Sequence, residues 1–257
     1  MGRRPKEDRK VRFDQRLVLA NWMLDLFGVP TFERLADYIK SPQHEGLSDD
    51  GVTRFHQELK LLYNRPELPD DLLLAYDGNI VRHWRAITER RNATAITLNL
   101  RYFQYLCLLF TEIYLDRFFR DPAKLLAALS NYREQFNAEQ TPQQPAAGLL
   151  GGLPAGATIP PFEPDDLRKL AFWSATGSGK TLLMHINIRQ YMHYLELHRR
   201  DGELRGVILL TPNEGLSRQH LDEFKLSGMK AELFEKDGPG LFGSSGISII
   251  DLHKLRE

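Results

Sequence analysis

Residues 175–181 read Ala175-Thr176-Gly177-Ser178-Gly179-Lys180-Thr181 and lie between a predicted strand, Leu170–Trp173, and a long predicted helix over residues 181–198. A glycine-rich loop in that position lets the backbone fold around a polyphosphate, because side chains at Gly177 and Gly179 would block the approach. The helix that follows presents its positive N-terminal end to the same anion. The stretch therefore predicts a phosphate-binding loop.

The last two residues of this loop carry the chemistry that a bound nucleoside triphosphate requires. Lys180 is predicted to reach the β and γ phosphates as a flexible positive charge, and the Thr181 hydroxyl is predicted to ligate Mg²⁺. The general pattern has glycine at its first position, whereas this sequence has Ser174, a small residue that still fits. We therefore predict ATP and Mg²⁺ as cofactors and Lys180 and Thr181 as catalytic residues. The cofactor-binding residues in the loop are predicted to be Ala175, Thr176, Gly177, Ser178, Gly179, Lys180 and Thr181.

The chain after residue 168 has the pattern of an α/β protein. Short apolar runs at Val207–Leu210, 231–234 and 247–250 predict strands, and the first of them is wholly apolar, as is typical of buried parallel strands. A helix is predicted at residues 216–226. Strands that alternate with helices indicate a parallel sheet with right-handed crossovers.

The first half of the chain is predicted to be helical. Apolar and polar residues alternate with helical period, and Thr31 and Ser48 are placed as N-caps. The composition changes to Gln, Pro, Gly and Ala at residues 137–164, which predicts a flexible insertion. The predicted helices span residues 14–27, 31–40, 48–63, 70–91 and 98–119.

Composition excludes several classes of protein. The 257 residues are 42% hydrophobic and 26% charged, and 34 Lys and Arg balance 34 Asp and Glu, so no global positive charge attracts nucleic acid. No apolar run approaches the length of a membrane span, and the single cysteine, Cys107, lies in an apolar run that favours a buried, inert thiol. We expect a cytoplasmic protein with no membrane partner. The locally basic segments are Met1–Arg16 and the stretch that contains Arg82, Arg85, Arg90, Arg91 and Arg101.

The loop sequence resembles motif I of superfamily-2 DEAD/DEAH-box helicases, and two other segments extend the resemblance. Thr211-Pro212-Asn213 is similar to motif Ia, which implies that these residues contact nucleic-acid phosphates; Thr-Pro ending a strand, with Ser217 capping a helix, is the alternative. The segment around Gln104 is similar to the glutamine-bearing segment that reads adenine in these helicases. Glutamine suits that role because its amide offers both a donor and an acceptor. A buried glutamine satisfied within a helix pair is the alternative there.

As a whole, residues 70–257 resemble the helicase (Res) subunit of type III restriction enzymes and related bacterial defence helicases. The resemblance implies an α/β fold, with an N-terminal helical region at 1–95 followed by an incomplete RecA-like ATP-binding lobe at 96–257. The expected Walker B strand ending in Asp-Glu is not recognised; Asp251 ends a predicted strand but Leu252 and His253 follow it. We therefore expect the chain to end before that motif.

The function implied is the ATP-binding portion of an ATP-dependent DNA helicase or translocase, from a restriction or anti-phage defence system. The chain alone is expected to bind ATP with little turnover, and its expected partner is double-stranded DNA, with possible protein partners in a defence complex. An ATP-binding interaction module without unwinding activity is the first alternative. A phosphate-loop kinase or a purely structural fragment is the second.

Overall fold

The computed structural model describes residues 16–62, 66–93, 97–140, 158–235, 241 and 246–255. Most of this chain is helical, and the strands form one small parallel sheet, so the predicted α/β class is confirmed. The basic residues before Arg16 and the centre of the predicted insertion, 141–157, lie outside the described residues. The helices are α1 (Val18–Leu26), α2 (Phe32–Ile39), α3 (Arg54–Leu62), α4 (Asp70–Asn92), α5 (Tyr102–Arg120), α6 (Pro122–Gln140), α7 (Lys180–Leu197) and α8 (Glu214–Leu226).

The chain forms two compact units that are built from alternating segments. The first contains residues 1–35 and 121–171, and the second contains residues 36–120 and 172–257. This division follows contacts in space, whereas the predicted boundary between residues 95 and 96 followed the character of the sequence. That boundary stays a prediction.

Within the first unit, α6 packs against α1 and against a 3₁₀ turn at Pro164–Arg168. Helix α6 was not predicted from the sequence, because its polar C-terminal half runs into the Gln- and Pro-rich stretch. The two described ends of that stretch are held together. The side-chain amide of Asn137 accepts a hydrogen bond from the Ile159 N–H at 2.8 Å and donates one to the Ile159 carbonyl at 2.9 Å.

Within the second unit, α5 packs against α4 and α7, and α4 also contacts α3 and α8. The helix predicted to begin at Ser48 begins at Arg54 instead. Ser48 forms a tight turn in which its hydroxyl donates to the Val52 carbonyl at 2.8 Å. Thr53 takes the capping role, since its hydroxyl accepts the His56 N–H at 3.0 Å. At Thr31 the predicted cap is confirmed by a 3.2 Å hydrogen bond from the Arg34 N–H.

The sheet contains β1 (Val207–Thr211), β2 (Glu232–Leu233) and β3 (Ile247–Asp251), in the order β1-β3-β2 with both pairings parallel. Every residue of β3 is buried. β1, predicted to be wholly buried, lies at the edge and exposes alternate residues; Ile208 is 46% and Leu210 is 51% exposed. The centre of the sheet is therefore occupied by β3, the last of the three strands along the chain, and not by the most apolar run.

The prediction of a strand at Leu170–Trp173 is wrong. In the described part of the chain these residues lead into the phosphate loop without forming a strand, and Trp173 is 87% exposed. A strand requires a hydrogen-bonded neighbour. Apolar sequence alone could not show that the sheet provides none at this position.

Candidate functional site

The predicted phosphate loop forms a tight turn that leads directly into α7. Gly177 and Gly179 adopt φ angles of +78° and +82°, a region that side-chain-bearing residues rarely enter. Gly179 is the residue before α7, and no side chain caps that helix. The uncapped end leaves backbone N–H groups and the positive end of the helix dipole available to an anion.

Lys180 and Thr181 begin α7 and line a cavity of about 760 Å³. The Lys180 ammonium is exposed and donates to the carbonyls of Ser174 at 3.2 Å and Ala175 at 2.8 Å. The Lys180 side chain thus folds back over the predicted phosphate loop. The cavity is mainly apolar and extends along α7 to β1, where Val207 lines it.

Gln104 reaches this loop from the first turn of α5. Its side-chain Nε2 donates to the Ser178 carbonyl at 2.9 Å, and its Oε1 accepts the Arg101 N–H at 3.0 Å. Only 8% of the residue is exposed. The amide is therefore bonded to the phosphate loop itself, although 74 residues separate the two partners, and not to a neighbouring helix.

The contact with Gln104 places a second constraint on Gly179. A Cβ added at Gly179 would lie 2.6 Å from Gln104 Nε2, well inside van der Waals distance. Glycine is thus required both by the φ angle and by the close approach of the glutamine. An alanine here would strain the backbone and displace the amide.

The predicted nucleic-acid contacts lie where β1 ends. Thr211 is buried, and its hydroxyl lies 2.6 Å from the Ser217 hydroxyl and 3.3 Å from the Ile250 carbonyl. Pro212 and Asn213 are exposed, and Asn213 caps α8 by accepting the Leu216 N–H at 2.9 Å. The Thr211 hydroxyl therefore helps to fix the start of α8, which leaves Pro212 and Asn213 as the surface of this segment.

Two arginines near the C-terminal end of α4 form hydrogen bonds within the second unit. Arg91 donates to the Ser227 hydroxyl at 2.9 Å and forms an ion pair with Glu223, and Arg90 donates to the Lys225 carbonyl at 2.7 Å. These contacts place positive charge at the C-terminal end of α8, where it suits the helix dipole. The arginines thus hold α8 against α4.

Two residues of reactive types, His185 and Cys107, have side-chain pKa values that burial shifts. The His185 Nδ1 lies 2.7 Å from the Ser227 hydroxyl, the ring stacks on Phe224, and burial lowers the pKa of His185 to about 4. Burial raises the pKa of the Cys107 thiol to about 11, which agrees with an inert thiol. Across the described residues, no three His, Cys, Asp or Glu side chains form a group suited to a metal ion.

A buried polar cluster around Glu112 was not predicted. The Glu112 carboxylate is fully buried and accepts hydrogen bonds from Gln190 Nε2 at 2.7 Å, the Tyr194 hydroxyl at 2.7 Å and Asn79 Nδ2 at 3.3 Å. Burial raises the pKa of Glu112 to about 7, although these hydrogen bonds oppose the rise. The sequence signal was a lone acid in an apolar helix; its partners on α4 and α7 could come only from the fold.

The described chain thus has an α/β fold in which a loop with two positive-φ glycines leads into the uncapped N-terminal end of α7. Residues 126–243 are similar to the family described as type III restriction enzyme, res subunit, which is a helicase-family domain. The match covers less than half of the chain; it includes the phosphate loop and β1 but not Gln104. Comparisons with curated proteins and with solved structures found no match. None of the described helices is long and apolar enough to cross a membrane.

Proposed function

We propose that this chain is the ATP-binding portion of an ATP-dependent helicase or translocase that acts on double-stranded DNA, in a restriction or anti-phage defence system. The observation that carries the proposal is the geometry of residues 175–181, a phosphate loop in a helicase-family domain. The similarity of residues 126–243 to a restriction-enzyme subunit family supports the defence context.

The residues of the loop suit a triphosphate and its metal. Positive-φ glycines let backbone amides face the phosphates, and the N-terminal end of α7 adds positive potential. Lys180 would exchange its bonds to loop carbonyls for bonds to phosphate oxygens, and Thr181 would supply one hard oxygen ligand to Mg²⁺. Bound Mg²⁺ would neutralise charge that develops on the phosphate oxygens.

Nucleotide binding is tested by calorimetry with ATP and Mg²⁺ on the wild-type chain and on Lys180→Ala. We expect the variant to lose measurable binding, because amides alone do not balance the charge of a triphosphate. Lys225→Ala is the matched control, since its exposed ammonium pairs with Asp222 on the same helix, α8. Equal affinity of wild type and Lys180→Ala would refute the proposed site.

Turnover by the 257-residue chain is proposed to be low. Hydrolysis in this class needs a carboxylate pair at a strand end and an arginine from elsewhere, and an arginine alone is worth about 10³–10⁵ in rate. Among the described strands, only β3 ends in an acid, Asp251. This residue lies opposite Thr211 in the register, and its Oδ1 accepts the His253 N–H at 2.9 Å. An ATPase assay with and without duplex DNA tests this; turnover near about 1–10³ per second would contradict it.

A further inference from the structure

A second cavity, of about 640 Å³, lies beside the phosphate loop and is separate in its lining from the one that contains Lys180. Gly177 and Gln104 line it on the side of the loop. Sites for small ligands typically have volumes of about 300–1,000 Å³. The cavity is therefore large enough for the nucleoside part of a nucleotide whose phosphates lie on the loop.

The groups around this cavity suit the parts of a nucleoside triphosphate. Tyr102 and Trp84 contribute aromatic surface, which can pack against a base. Two cations also line it, and each is paired with a carboxylate: Arg101 with Glu45, which lines the cavity too, and Lys40 with Asp37.

Glu45 is held in place by a two-point contact. Arg101 Nη1 donates to both carboxylate oxygens of Glu45, at 2.7 and 2.8 Å, and the Glu45 side chain is only 19% exposed. The guanidinium offsets the negative charge that would otherwise repel a triphosphate. Each carboxylate oxygen keeps capacity for a further hydrogen bond.

The backbone around Glu45 is fixed from the opposite side. The neighbouring Gly46 carbonyl accepts the Arg54 N–H at 3.2 Å, and Leu47 pairs with Thr53 in an isolated β-bridge. The Thr53 N–H in turn donates to the buried Asp77 carboxylate at 3.0 Å. A carboxylate on such a support can select a ligand by geometry, because little motion has to be frozen on binding.

Glu45 is also connected to the loop by a chain of hydrogen bonds. Arg101 bonds to Glu45 through its side chain and to Gln104 Oε1 through its backbone N–H, and Gln104 Nε2 bonds to the Ser178 carbonyl. These partners also determine which end of the Gln104 amide is oxygen and which is nitrogen. These hydrogen bonds therefore fix the position of the Glu45 carboxylate relative to the phosphate loop.

We infer that Glu45, held by Arg101, recognises the sugar of the bound nucleotide by accepting hydrogen bonds from ribose hydroxyls. This inference rests on the proposed ATP binding and deepens it. A carboxylate only accepts hydrogen bonds when ionised, and hydroxyl donors are what distinguish ribose from deoxyribose. The site is thus selective for ribonucleoside triphosphates over their 2′- or 3′-deoxy forms.

The test is competition binding of ATP, 2′-deoxy-ATP and 3′-deoxy-ATP, with Mg²⁺, on the wild-type chain. One hydrogen bond to a charged group corresponds to about a tenfold difference in affinity or more, so ATP should exceed at least one deoxy form by that factor. Glu45→Ala should bring the affinities of the three nucleotides within about twofold. Glu203→Gln is the control, because it weakens another two-point contact with an arginine, Arg200, outside the cavity.

The possible outcomes separate this inference from the proposed function. Equal wild-type affinities for the three nucleotides, with binding still dependent on Lys180, would overturn sugar recognition and leave ATP binding intact. A preference for ATP that survives in Glu45→Ala would assign the selectivity elsewhere and also overturn the inference. Absence of nucleotide binding to the wild-type chain would refute both. The wild-type comparison requires no variant and so does not depend on how Glu45→Ala folds.

Discussion

Replacement of Glu112 by glutamine should change how the stability of the chain depends on pH. The carboxylate is fully buried, and its three hydrogen-bond donors, on Gln190, Tyr194 and Asn79, are all neutral. The nearby cation Arg82 donates to the Asn79 side-chain oxygen at 2.9 Å. Burial therefore dominates and raises the pKa of Glu112 from 4.5 to about 7.

The sign of the effect follows from proton binding. Because the folded-state pKa of Glu112 lies above the unfolded value, the folded chain binds more protons between about pH 4.5 and 7. The contribution of Glu112 to the unfolding free energy is thus fully present below pH 4.5 and is lost as pH rises through about 7. At about 1.4 kcal/mol per pH unit, this loss amounts to roughly 3 kcal/mol.

In Glu112→Gln this pH-dependent loss should disappear. The variant also replaces one acceptor by a donor, which costs about 1 kcal/mol for a lost hydrogen bond, but that cost does not vary with pH. The difference in unfolding free energy between wild type and variant should therefore shift by roughly 3 kcal/mol between pH 4.5 and 7.5. His83 and His185, whose pKa values burial also lowers, titrate in both proteins and cancel in the difference.

The assay is urea unfolding followed by far-ultraviolet circular dichroism at several pH values in that range. Glu203→Gln is the control for the substitution itself, because Glu203 is an exposed carboxylate outside the Glu112 cluster. Parallel pH profiles for wild type and Glu112→Gln would refute the reasoning, because they would show that Glu112 does not titrate differently in the folded chain.

Three further predictions concern the loop and its surroundings. Gly179→Ala should weaken ATP binding by at least about tenfold in calorimetry, because its Cβ would strain a positive φ angle and meet Gln104, whereas Gly202→Ala, with open space around it, should bind normally. Gln104→Ala should lower the affinity for ATP while nearly sparing that for GTP; equal losses would mean that the glutamine only supports the loop. Arg91→Ala should lower the unfolding free energy by about 2–3 kcal/mol in urea titrations, because it removes charge-assisted hydrogen bonds to α8, and an unchanged midpoint would contradict this.

Local patterns predicted the helices and the loop because the signals that form them are themselves local. Apolar periodicity located α4, α5, α7 and α8 to within a few residues, apart from the later start of α5, and positive-φ glycines followed from the loop sequence. Features that depend on distant partners were less predictable. Leu170–Trp173 has strand-like composition without a strand beside it, and β1 has the composition of a central strand at the sheet's edge.

The role of Gln104 depends both on a local sequence pattern and on a contact with a distant part of the chain. Its residue type and its resemblance to a helicase segment suggested contact with the nucleotide, yet the long stretch before the phosphate loop left its position open. The structure shows a contact with the phosphate loop: the start of α5 lies against the start of α7, so the Gln104 amide spans the Arg101 N–H and the Ser178 carbonyl. Any displacement of α5 at this end must therefore move a bond to the phosphate loop. Since α5 also carries Glu112, which bonds to α7 two turns and more further along, the same pair of helices is fixed at both the loop and the buried carboxylate. Nucleotide binding at the loop should therefore protect the amides of α5, as well as those of α7, from hydrogen exchange. Gln104→Ala should reduce the added protection in α5. Protection confined to α7 would show that the Gln104 contact does not couple the loop to α5.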